Sequence, residues 1–151
     1  MTALNHAVTG AAIGLLVGEP LIAVPAAIIS HFVCDALPHF GTDASDNTLR
    51  KRSFKIYLLA EACLCLAVVL LLFVVRPEHW LLAAVCAFAA AAPDFLWARR
   101  YIAALRHKRW RPMFIDRFAS AIQWFQRPIG AVVEIAWFAA VVILLMPFFV
   151  S

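Results

Sequence analysis

Ser30-His31-Phe32-Val33-Cys34-Asp35-Ala36-Leu37-Pro38-His39 places two imidazoles and a carboxylate within nine residues, at the end of a hydrophobic run. His31 and Asp35 are four residues apart, so a helix projects them from one face. Two such side chains on one helix face make half of a metal coordination shell. Ionisable groups in or beside a bilayer are costly and are kept where they meet a partner, a cavity or a substrate path.

The elements that must position these groups are membrane helices. The chain has 151 residues and is 65% hydrophobic, with a mean hydropathy of +0.88. Soluble domains are nearer half apolar. An all-α integral membrane protein with a single domain is expected. The start, Met1 to His6, lacks the positively charged region of a cleavable signal peptide, so the first helix is expected in the mature protein. Cys34, Cys63, Cys65 and Cys86 lie in apolar stretches without CxxC spacing, which favours packing over disulfides or a thiolate zinc site. The chain also lacks G-x-S-x-G, Walker A and Rossmann motifs, so serine-hydrolase and nucleotide chemistry are disfavoured.

Hydropathy predicts about five transmembrane helices, near 3–17, 21–39, 55–75, 79–98 and 129–150. Gly18-Glu19-Pro20 makes the turn between the first two. The first helix is shorter than the ~20 residues that cross a bilayer, so the first two either tilt or form a re-entrant hairpin. A further helix near 112–126 begins at Pro112. Trp110, Phe114, Phe118, Ile122 and Phe125 form its stripe, and Asp116, Arg117 and Gln123 point elsewhere. With Arg106, Lys108, Arg109 and Arg111 before it, this segment reads as an interfacial amphipathic helix. Lipid headgroups suit it better than nucleic acid, given the spans around it.

With alternating loops, twelve Lys and Arg fall on one side and only Arg76 on the other. That asymmetry predicts a plasma or inner membrane protein with a cytoplasmic N-terminus and an external C-terminus. The same topology brings polar residues to one layer. His6 opens helix 1, His31, Asp35 and His39 close helix 2, and Asp94 follows Pro93 at the end of helix 4. Glu61 and Glu134 lie about two turns into helices 3 and 5, where pairing with Arg or Lys is the favoured role. His6, Gly10, Gly14 and Gly18 share a face of helix 1. Small residues at this spacing admit a close neighbour, either helix 2 or a second copy of the chain.

His6, His31, Asp35 and Asp94 are the expected ligands of a divalent ion. Zinc leads, with manganese, iron or cobalt also compatible with two imidazoles and two carboxylates. His39 follows the helix-breaking Pro38 and either turns back toward the ion or lies in the loop. Asp43 and Asp46 offer a second ion site, although loop aspartates are more often solvated.

His31-x3-Asp35 followed by Pro38-His39 resembles the HxxxD helix of zinc-dependent phospholipase C and P1-type nucleases. Asn5-His6, Ser30-His31-x3-Asp35 and Pro93-Asp94 also look like the motifs of predicted membrane-bound metal-dependent hydrolases. The resemblance implies a metal-activated water attacking a phosphoester or related lipid bond. The expected function is a small membrane hydrolase at the cytoplasmic interface, with His39 or Glu61 as acid–base group. Arg99, Arg100, Arg106, Arg109 and Arg111 would hold an anionic headgroup. A metal-ion or proton transporter, or a scaffold with a structural metal, are the alternatives. The outer halves of helices 3 to 5 are almost wholly apolar, which disfavours conduction.

Single cysteines introduced at 45 and 78 are expected to react with impermeant maleimide from opposite sides of the membrane. Labelling from the same side would refute this topology.

Overall fold

A computed structural model describes residues 1–41 and 45–150, and the described residues are helical apart from turns and one isolated bridge. Asp43, named above for a second ion, lies outside them. The chain forms α1 (Ala3–Val17), α2 (Pro20–Ala36), α3 (Asp46–Arg50), α4 (Arg52–Val75) and α5 (Trp80–Ala91). A 3₁₀ turn over Ala92–Trp97 leads into α6 (Ala98–Leu105), and α7 (Phe114–Ile122) follows. A second 3₁₀ turn at Pro128–Gly130 precedes α8 (Ala131–Leu145) and α9 (Pro147–Val150).

Three helical stretches are long and apolar enough to cross a membrane: Arg52–Val75, Trp80–Leu105 and Pro128–Leu145. α1 and α2 are apolar but have only 15 and 17 residues. At 1.5 Å per residue they reach about 22 and 26 Å, short of the ~30 Å hydrocarbon core. Of the five expected spans, then, three have the required length.

Several boundaries shift for local reasons. α2 ends at Ala36 rather than 39, because Leu37 precedes Pro38 and takes an extended conformation, ψ 154°. His39 therefore leaves the helix. The expected fourth span continues past 98, through Pro93 and the 3₁₀ turn, to Leu105. The expected 112–126 helix is helical only over Phe114–Ile122. The last span is interrupted at Met146, before Pro147.

α1 is the hub. It packs on α2, α4, α5 and α8 and buries one face after another, from Asn5 to Ala12. Its closest partner is α5. A Cβ on Gly10 would lie 2.2 Å from the Cys86 carbonyl oxygen, and one on Gly14 would lie 2.5 Å from the Ala83 Cα. Only glycine admits backbones this close. The glycine face expected to meet helix 2 or a second copy is therefore filled by α5 of the same chain. Gly18, with φ +68°, ends α1 in the left-handed region and packs beside the His79 ring.

That contact sets the α1–α2 turn next to the α4–α5 turn. The other end of the bundle gathers the remaining connections. Leu49 of α3 is fully buried, α3 packs on α6, and the Arg50 guanidinium donates to the Ala104 carbonyl at 3.3 Å. The two basic loops thus lie together at one end. By contrast α4 is peripheral, with Leu59, Leu66, Leu70 and Val74 among its exposed apolar side chains. Exposed leucines around a 24-residue helix are expected where the solvent is lipid.

Gly14→Val should force α1 and α5 apart. Overpacking of this kind costs about 1–3 kcal/mol, a Tm drop of roughly 2–12 °C for a chain of this size. Thermal unfolding in detergent measures it, and an unchanged Tm would contradict the close approach.

Candidate metal centre

The register of α1 against α5 decides where His6 sits. Gly14 lies at Ala83, and Gly10 at Cys86 and Ala90. One turn earlier on α1, His6 reaches the end of α5, where Pro93 and Asp94 begin the 3₁₀ turn. α2 packs on the same helix, and the His31 Nδ1 donates to the Ala90 carbonyl at 2.8 Å. Helix α5 ends at Ala91, just past this carbonyl, so α5 anchors His31 while the chain beyond it turns to present Asp94.

His6, His31 and Asp94 offer ligand atoms that all lie within 4.8 Å of one another, a group that could hold a metal ion. The two imidazole rings stack, with centroids 4.0 Å apart. Asp35 lies against both. Its Oδ1 is 3.1 Å from His6 Nε2 and its Oδ2 is 3.4 Å from His31 Nε2. Asp94 Oδ1 is 3.9 Å from His31 Nε2. With the Nδ1 proton of His31 given to Ala90, Nε2 carries a lone pair facing two carboxylates. A tetrahedral shell with bonds near 2.1 Å has ligand–ligand edges of about 3.4 Å. The observed separations bracket that value.

His6, His31 and Asp35 are each at least nine-tenths buried. The Asp94 side chain is 42% exposed and opens the group to one side. Asp35 has further partners. The Met1 amino group pairs with its Oδ1, and the Gln123 amide donates to its Oδ2 at 2.8 Å. His6 Nδ1, in a side chain this buried, has no hydrogen-bond partner among the described residues.

Helical spacing sets Gln123 off the aromatic stripe and assigns it no part in the site. The helix before it docks on α2, with the Phe118 ring tilted against Phe32 at 5.8 Å, and the Trp124 indole donates to the Ala36 carbonyl at 2.8 Å. α7 stops after Ile122, and the irregular segment behind it turns Gln123 inward. Helical periodicity over 112–126 could not reveal this, because it assumes a helix that has already ended. Phe114 is 84% exposed and continues the apolar stripe outward.

His39 is buried outside the tight group. Its Nδ1 donates to the Leu37 carbonyl at 2.8 Å, its amide donates to the Phe125 carbonyl, and its own carbonyl accepts from the Arg127 amide. It is a joint between the Pro38 loop and the segment after α7. Gly130 packs so tightly there that a Cβ would lie 2.1 Å from the His39 carbonyl oxygen. Burial pushes the His39 imidazole below its ordinary pKa.

Glu61 and Glu134 find partners other than the expected Arg or Lys among the described residues. Glu61 Oε2 accepts the Leu4 amide at 3.0 Å. Glu134 Oε2 accepts the Thr2 amide at 3.2 Å and the Asn5 side-chain amide at 3.1 Å, while Oε1 accepts the Phe40 amide at 3.0 Å. The first amides of a helix lack intrahelical acceptors and carry its positive dipole end. Two carboxylates from neighbouring helices satisfy that end of α1. Glutamates in membrane spans read as ion-pair partners by type alone, and the acceptor requirement of a buried helix start becomes visible only when the helices are assembled.

The five arginines lie at the same end of the fold. Arg99 stacks over Trp110 at 5.4 Å and Arg100 over Trp97 at 6.0 Å. Arg106, Arg109 and Arg111 are exposed.

Comparison of the chain with family models, with curated proteins and with solved structures finds no match.

Glu134→Ala leaves the Thr2, Asn5 and Phe40 donors without their acceptor. Buried donors left unsatisfied cost about 1–3 kcal/mol each, so a drop in Tm of more than roughly 5 °C is expected. Glu134→Gln should recover part of it. A Tm within a degree of wild type for the alanine variant would show that these contacts carry no stability.

Proposed function

We propose that this chain is an integral membrane metal-dependent hydrolase acting on a phospholipid or lipid-linked phosphoester. One observation carries the reading. His31 Nε2, with its tautomer fixed by Ala90, faces Asp35 and Asp94 at 3.4 and 3.9 Å, beside His6. The Met1 ammonium meets Asp35 Oδ1, while Asp35 Oδ2 and Asp94 Oδ1 still converge on the His31 lone pair, an arrangement that a further cation would relieve. His6, His31 and Asp94 hold the ion, with Asp35 as fourth ligand or as the carboxylate that orients both imidazoles. Zinc suits this donor set best, and manganese, iron and cobalt also fit it.

A bound divalent ion supplies a Lewis acid and a water acidic enough to deprotonate near neutral pH. The chain supplies the rest. Glu61 lines the same cavity as Asp94 and accepts the proton of the attacking water as its oxygen bonds to phosphorus. The ester P–O bond breaks and the leaving oxygen takes that proton from the Glu61 carboxyl, which returns to carboxylate. His39, whose Nε2 is unpartnered among the described residues, is the second acid–base candidate. Arg99, Arg100, Arg106, Arg109 and Arg111 draw anionic headgroups to this end of the fold, which faces the cytoplasm in a plasma or inner membrane. α1 and α2 form a hairpin embedded among the three long spans.

A structural metal would sit in a closed four-coordinate shell. The exposure of Asp94 to a cavity favours an accessible one. Metal analysis of protein purified in detergent should find close to one divalent ion per chain. His31→Ala and Asp94→Ala should each lower occupancy at least tenfold, and with it hydrolysis of a phospholipid panel. Wild-type protein without stoichiometric metal after reconstitution with zinc or manganese would overturn the reading.

A further inference from the structure

The cavity that Glu61 and Asp94 share runs on beside the His and Asp group as a groove, most of whose length the metal reading does not use. It has a volume of about 500 Å³ and lies between α1, α4 and the α5–α6 span. Its α4 wall extends from Leu58 to Val69. Eleven steps of 1.5 Å between them make it about 16 Å long. That is half of the ~30 Å hydrocarbon core, the depth of one leaflet.

Polarity divides the groove along its length. Glu61, Asp94, Trp97 and Tyr101 stand at the end near the basic loops. Cys65, Leu66, Val69, Ala87 and Phe88 make the deeper part apolar. Trp and Tyr are the side chains enriched where headgroups meet hydrocarbon. Leu66 is 56% exposed and Phe88 is 63% exposed, so the groove opens sideways on the faces that meet lipid. Small side chains, Ala3, Ala7 and Ala62, leave its space unfilled.

We propose that this groove takes one hydrocarbon chain of a membrane lipid, entering laterally from the bilayer, and thereby sets the lipid's phosphoester beside Asp94. The proposal rests on the metal-hydrolase reading for the fate of the lipid, but not for its binding. Length, lateral opening and an acidic, aromatic end continuous with the metal group all point to the same occupant. A soluble phosphoester has no use for an apolar channel one leaflet deep. The groove therefore selects a lipid by its chain, while the ion and the arginines act on its headgroup.

The test uses the full chain, loaded with zinc, in phosphatidylcholine vesicles containing a phosphatidylglycerol with a diazirine at mid-chain. After photolysis, mass spectrometry should place adducts on 62–69 and 87–88 at least fivefold above the exposed face of α8. Ala62→Trp should fill the groove and cut these adducts at least fivefold. Val74→Trp, on an exposed face of α4 outside the groove, should leave them unchanged. Excess dodecyl phosphate should suppress labelling of the unaltered protein, and inorganic phosphate should not, which gives a readout even if Ala62→Trp fails to fold. Labelling spread evenly over α4 and α8, or insensitive to dodecyl phosphate, would overturn the groove proposal while bound zinc leaves the metal reading standing. Groove labelling without stoichiometric zinc would overturn the metal reading and leave the lipid site in place.

Discussion

The contact of α1 with α5, backbone against backbone at Gly10 and Gly14, is the constraint on which the rest of the structure depends. It fixes both the distance between the two helices and their register. Gly14 at Ala83 and Gly10 at Ala90 leave His6 no place but the end of α5, next to His31 and Asp94. A side chain at either glycine would move His6 by ångströms, and a shared ion tolerates only tenths. α2 packs on α5 as well, and the Ala90 carbonyl accepts the His31 Nδ1 hydrogen bond. Packing in lipid gains little from apolar burial, since lipid is as apolar as leucine, and close van der Waals approach has to supply the difference.

The polar groups form two sets around α1, and their partners separate them. Glu61 and Glu134 accept backbone and amide N–H groups at the start of α1 and secure the helix from both sides. His6, His31, Asp35 and Asp94 face one another across α1, α2 and the 3₁₀ turn. A carboxylate at the centre of a membrane helix costs about 3 kcal/mol on insertion scales. The first set offsets this with hydrogen bonds, whereas in the second the Met1 ammonium and the Gln123 amide serve Asp35 and Asp94 faces the His31 lone pair. That arrangement, opening through Asp94 onto a groove one leaflet deep, is what ties the proposed ion and the proposed lipid to the same place.

α7 has a part in the site that its composition conceals. Gln123 reaches Asp35, Trp124 ties to Ala36, and the segment through Arg127 pairs with His39. The basic, aromatic connection between α6 and α8 thus closes the end of α2 and carries the arginines with it. Movement of this connection relative to α2 would change the surroundings of Asp35 and the presentation of the arginines together.

Much of the fold was legible in the residues. Runs of apolar side chains announce apolar helices whatever their packing, and three of them are long enough to cross a membrane. The i,i+4 spacing of His31 and Asp35 puts them on one face of any helix, and the small-residue repeat of α1 foretells a close neighbour. Sequence could not say which helix that neighbour is, since a glycine face fits any smooth backbone and α5 wins only through its run of alanines and Cys86. Nor could it say that α2 releases His39 into a loop, that Glu61 and Glu134 serve the start of α1, or that Gln123 turns inward. Each of these is a contact between residues far apart in the chain. Local pattern determines which groups share a face, and only the assembled bundle decides what each face meets.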